Sequence, residues 1–145
     1  MNLGEQARTF REAFGQELHA NISHYGFIKK KLWDMQIGLI DEEHKEFREA
    51  ADELLIDPEN AELREHLVKE LSDLVFVCYQ FAAAFGIDLD KAMALVFDSN
   101  MSKLDESGKP IYREDGKVLK GPNYKPPELS TCVPQPNINY DTHGK

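Results

Sequence analysis

From Leu32 to Leu54 apolar residues return every three or four positions: Leu32, Met35, Leu39, Ile40, Phe47, Ala50, Ala51 and Leu54. That interval lines one face of an α-helix, whereas a strand brings alternate residues to the same side. The spacing recurs at Ala7, Phe10, Ala13, Phe14 and Leu18, at Leu63, Leu67, Leu71, Leu74 and Val75, and at Ala92, Leu95, Val96 and Met101. Alternating runs of strand length are missing elsewhere. The chain is therefore predicted to be all-α, a four- to five-helix bundle.

Helix-stop signals set the boundaries. A first helix over residues 5–20 is expected to break near Tyr25-Gly26, and a second to run from about Leu32 to the "IDPEN" stretch. Pro58 disfavours helical geometry at Asp57. A third helix is predicted from Ala61 to Phe85, closed by Gly86, and Asp88 is placed to cap a fourth. Beyond Lys103 the composition changes, with six of the seven prolines gathered there. This part is predicted to be a short irregular extension, with a β-hairpin in "YREDGKVL" around Asp115-Gly116. One domain is expected over 1–129 and a loosely held tail over 130–145. "LVFVCYQFAAAF" is too apolar for a single bundle to cover, which predicts a homodimer or homotetramer.

Charge and cysteine usage narrow the function classes. A formal net charge of −9 argues against nucleic-acid or anionic-membrane surfaces, both of which select for Lys and Arg. Cys78 and Cys132 form no disulfide framework, which points to a reducing compartment. "MNLGEQARTF" lacks the features of a signal peptide, and the apolar stretch around 74–87 is too short to span a bilayer. The expectation is a soluble cytoplasmic protein.

The chemistry lies in acids that border the apolar stripe. In "LIDEEHKEF", Glu43 and Glu46 stand one helical turn apart beside Leu39, Ile40 and Phe47. In "KELSDLVF", Glu70 and Asp73 repeat that spacing. Two such helices can aim four carboxylates into one gap, where unscreened repulsion costs several kcal/mol. Divalent cations resolve that repulsion, and Mg²⁺ takes oxygen ligands while keeping sites that a phosphate can share. A single pair at this spacing is usually a solvated face; two pairs that both hug the core are not. A di-iron carboxylate bundle would need Glu-x-x-His on two helices, and only Asp41–His44 comes near it.

"LIDEEHKEF", "KELSDLVFV", "DSNMSKL" and "DGKVLKGPNYKPPEL" together resemble the all-α nucleoside triphosphate pyrophosphohydrolases, the MazG-like superfamily that includes phosphoribosyl-ATP pyrophosphohydrolase. The shared pattern is EExxE, a gap, ExxD and then NxxK. The resemblance implies Mg²⁺ (or Mn²⁺) on Glu43, Glu46, Glu70 and Asp73, with Glu42 or Glu43 handling the attacking water. It also implies substrate contacts at Asn100 and Lys103. Lys117, Lys120 and Arg113 could close over phosphates, and Trp33, the only tryptophan, could stack on a base. Gln36 departs from the pattern, since relatives often carry arginine seven residues before the first metal-ligand position. The implied reaction is hydrolysis of a (deoxy)nucleoside triphosphate to monophosphate and pyrophosphate, with dUTP-like or dGTP/GTP substrates. Phosphoribosyl-ATP hydrolysis and a non-catalytic helical interaction module are the alternatives.

Overall fold

The computed structural model describes residues 1–20 and 29–134. Within them lie four α-helices and no strand: α1 (Leu3–Ala13), α2 (Lys30–Ile56), α3 (Ala61–Ala84) and α4 (Leu89–Met101). The chain forms two compact units, Met1–Ile87 and Asp88–Val133.

In the first unit α3 packs against both α1 and α2. Asn2 and Glu5 close a reciprocal capping box at the start of α1, and Asn60 caps α3 by accepting from the Leu63 N–H at 3.1 Å. The first helix is shorter than its apolar pattern predicts. It stops at Ala13 because Gly15 takes a left-handed conformation (φ 63°), and the Gly15 and Gln16 amides fold back onto the carbonyls of Glu12 and Arg11. Those two bonds make a Schellman ending. Phe14 and Leu18 extend the periodicity but not the helix; the break expected at Tyr25-Gly26 lies outside the described residues. Gly86 (φ 70°) ends α3 in the same way, as the sequence predicts.

The core forms where the segment after α1 meets the end of α3. Ala20, Ala84 and Phe85 are buried there, with Leu32, Phe81 and Ile87 packed around them. Backbone N–H groups of His19 and Ala20 donate to the carbonyls of Ala83 and Ala84 at 3.2 and 2.7 Å. The alanine run is what permits that approach: larger side chains at 82–84 would hold the segment off α3.

In the second unit Asp88 caps α4, accepting from the Lys91 N–H at 3.0 Å. The segment that follows is tied back to the helix. Ser99 Oγ donates to the Lys125 carbonyl at 2.7 Å, and the Gly121 N–H donates to the Lys103 carbonyl at 2.9 Å. A Cβ at Gly121 would lie 2.6 Å from that same Lys103 oxygen, so only glycine fits. The predicted hairpin is reduced to one antiparallel bridge, Tyr112 with Val118, around a turn that Gly116 closes at φ 89°. Ser130–Cys132 forms a 3₁₀ turn with Cys132 buried, and its carbonyl accepts from the Asp88 N–H at 2.9 Å. Residues 135–145 of the expected tail lie outside the described residues. Both cysteines are free thiols. No single helix among the described residues is long and apolar enough to cross a membrane.

Candidate functional site

The four-residue link between α2 and α3 turns the chain back on itself, so the acids midway along α2 come level with those early in α3. One carboxylate oxygen from each of Glu43, Glu46 and Glu70 falls within 4.8 Å of the other two. Glu70 is only 4% exposed, and Glu43 and Glu46 are half-buried. Glu43 Oε2 and Glu70 Oε2 are buried with no hydrogen-bond partner. Leaving such an oxygen unpaired costs more than any neutral hydrogen bond returns. Two of them beside a third carboxylate crowd three acids together with no cation on either orphan oxygen.

Electrostatics register the same deficit. Burial raises the Glu43 carboxyl from 4.5 to about 7, helped by the charge of Glu46, a hydrogen bond to Glu46, and the charges of Asp73 and Glu70. The oxygens also have the chemistry for a hard divalent cation, which takes carboxylate ligands. The cluster can hold a metal ion.

Asp73 stands apart from the triad. Its Oδ2 accepts from Lys69 Nζ at 2.7 Å, and the same ammonium lies 3.3 Å from Glu70 Oε1. These two contacts hold Lys69 well above the usual lysine range. His66 Nδ1 is 3.5 Å from Glu70 Oε1. Lys69 and His66 were not singled out in the sequence, although their i, i+4 spacing to Asp73 and Glu70 was there to read. Glu42 is exposed and outside the cluster. Trp33 meets Phe81 and Phe85 edge-on, with ring centroids 5.0 and 5.1 Å away, and keeps 39% of its surface exposed.

The other candidates belong to the second unit. Asn100 is exposed at the end of α4, and Lys103 is half-buried just after it. Lys120 Nζ sits 4.7 Å from the Tyr124 ring centroid, Lys117 is exposed, and Arg113 is paired with Asp115.

Residues 7–100 match the family model for phosphoribosyl-ATP pyrophosphohydrolase, a span that includes all four acids. The chain belongs to that family. It is an all-helical pyrophosphohydrolase of the MazG-like superfamily, an enzyme that hydrolyses a pyrophosphate bond. No curated protein matches the chain closely enough to count as a relative.

The Glu43 carboxyl gives a pH prediction for the metal-free protein. Its folded pKa of about 7 stands above the ordinary 4.5, so the folded state binds the extra proton between those values. Stability from this group is full below the ordinary value and is lost as pH rises through the folded one. In EDTA the midpoint of thermal unfolding should therefore fall from pH 5 to pH 8, more steeply than in Glu43→Gln. A wild-type slope no steeper than that of the variant would contradict the assignment.

Proposed function

We propose that the protein is a Mg²⁺-dependent nucleoside triphosphate pyrophosphohydrolase that cleaves at the α-phosphorus, releasing monophosphate and pyrophosphate. The observation that carries this reading is the pair of buried, unpartnered oxygens of Glu43 and Glu70, set with Glu46 in one 4.8 Å cluster. Glu43, Glu46 and Glu70 would hold the ion, and Asp73 would join them on exchanging its Lys69 contact for the metal. When bound, Mg²⁺ supplies the positive charge that offsets charge developing on the phosphate oxygens. With the Glu43 carboxyl raised to about 7, uptake of the ion there would release part of a proton. Of the two acids that could take the water's proton, Glu43 sits in the cluster and Glu42 faces solvent. Glu43→Gln should accordingly damage turnover more than Glu42→Gln. Asn100 and Lys103, with Lys117 and Lys120, are proposed to contact the substrate, and Trp33 to stack on its base.

The net charge of −9 argues against nucleic acid or an anionic membrane as a partner, and the setting proposed for the enzyme is the cytoplasm. Exposed Val68, Leu71, Val75 and Phe76 on α3 support a homodimer or homotetramer.

The test is a panel of NTPs, dNTPs and phosphoribosyl-ATP, assayed with Mg²⁺, with Mn²⁺ and with EDTA. Pyrophosphate should appear only with metal, with dUTP-like or dGTP/GTP substrates turned over fastest. Preference for phosphoribosyl-ATP is the second reading, favoured by the family match. Lys103→Ala should raise KM to a similar extent for every base, because a phosphate contact cannot read one. A base-dependent effect would remove Lys103 from the phosphates.

A further inference from the structure

Among the described residues of the first unit two glutamines are buried, and they are used differently. Gln80 on α3 is 3% exposed and both ends of its amide are engaged: Oε1 accepts from Arg11 Nη1 at 3.3 Å, and Nε2 donates to the Ala7 carbonyl at 3.4 Å. That is how a structural glutamine behaves in a core. Gln36 on α2 is 2% exposed, and its Oε1 has no hydrogen-bond partner.

Its position gives this orphan acceptor a meaning. Gln36 stands seven residues before Glu43, two helical turns or about 10.5 Å along the same face of α2. Trp33 lies one turn beyond it, against Phe81 and Phe85. The inward face of α2 thus runs from an aromatic ring through a free carboxamide to a carboxylate cluster. A nucleotide has the same order of parts: a flat base to stack, a hydrogen-bonding edge on that base, and a phosphate. An amide with an uncommitted acceptor can also swing toward an arriving partner without breaking a bond.

We propose that Gln36 is the residue that reads the nucleobase, its carboxamide pairing with the donor and acceptor on the base edge while Trp33 takes the ring face. This rests on the nucleotide reading of the acidic cluster and adds the residue that sets its specificity. A site that hydrogen-bonds a substrate group rejects analogues lacking it, because its own buried polar atom is then left unpaired. An arginine at this position could not do the same, since it offers donors and no acceptor.

The experiment compares wild type with Gln36→Met, which keeps the length and removes both polar atoms. Two quantities are measured: kcat/KM across the dNTP and NTP panel, and thermal unfolding in EDTA. In the variant, kcat/KM for the best base should fall about tenfold or more while poor bases change little, so that the ranking collapses. Unfolding should be unchanged or shifted upward, because an unsatisfied acceptor is gone. An intact ranking in a variant that melts at or above the wild-type temperature would make Gln36 a core residue and overturn the proposal. A wild type without base preference would overturn it too. If neither protein releases pyrophosphate from any nucleotide, the functional reading itself fails and takes this assignment with it. Should Gln36→Met fold poorly, Gln36→Asn supplies the second variant: it keeps the amide but withdraws it by one methylene. Its ranking should shift, and an unaltered ranking would again overturn the proposal.

Discussion

Glu70→Gln is expected to lower pyrophosphate release by about a thousandfold while leaving a folded protein that melts no lower in EDTA. Glu70 is the most buried acid of the cluster, at 4% exposed, and its Oε2 is one of the two orphan oxygens. The substitution preserves shape and removes the charge that a cation needs. It also takes a negative charge away from beside Glu43 and Glu46, which offsets the weakened contacts to Lys69 and His66. Asp73→Asn should cost less, because Asp73 is already bound to Lys69 at 2.7 Å and lies outside the triad of oxygens. Steady-state kinetics with saturating Mg²⁺, paired with thermal unfolding in EDTA, checks both. Equal, mild losses for all four acids would point instead to a surface that only attracts cations.

The second large effect is on stability. Arg11→Ala is expected to destabilise the protein by about 3 kcal/mol, or roughly 10 °C in Tm. Arg11 is 1% exposed, and burial lowers its pKa from the ordinary arginine range. Its Nε donates to the Glu17 carbonyl at 2.7 Å and its Nη1 to Gln80 Oε1, which ties the turn after α1 to α3. Truncation leaves both acceptors without that donor and opens a cavity. Arg11→Lys should recover little, since one ammonium cannot reproduce a fork aimed at two separate oxygens. A loss below about 0.5 kcal/mol in denaturant titration would show that the bonds contribute nothing net.

Much of this fold is legible in the order of residues. Apolar spacing carries α2, α3 and α4, and Gly86 and Asp88 mark the end of one helix and the start of the next. The spacing of Glu43, Glu46 and Glu70 was enough to expect their meeting, because helices joined by a short link pack antiparallel and bring their facing acids level. Other features were hidden for identifiable reasons. At the end of α1, Phe14 and Leu18 continue a helical rhythm that Gly15 overrules by its left-handed backbone. Periodicity places Arg11 and Gln36 on a helix without saying that either is buried, since burial depends on which neighbour covers it. The Asp73–Lys69 contact competes with the metal role that the ExxD pattern implies, and a motif does not show such a competitor. Beyond Lys103 no period exists to read. Order there comes from single bonds, such as Ser99 to Lys125 and Gly121 to Lys103, between residues far apart in the chain.

Cleavage at the α-phosphorus is tested by hydrolysis of the best nucleoside triphosphate in ¹⁸O-enriched water, with both products analysed by mass spectrometry. Attack at the α-phosphorus places one ¹⁸O in the nucleoside monophosphate and none in the pyrophosphate. That is the expected result, and it should vanish along with turnover in Glu70→Gln. Label in pyrophosphate, or release of labelled orthophosphate, would put the attack at another phosphorus and contradict the account.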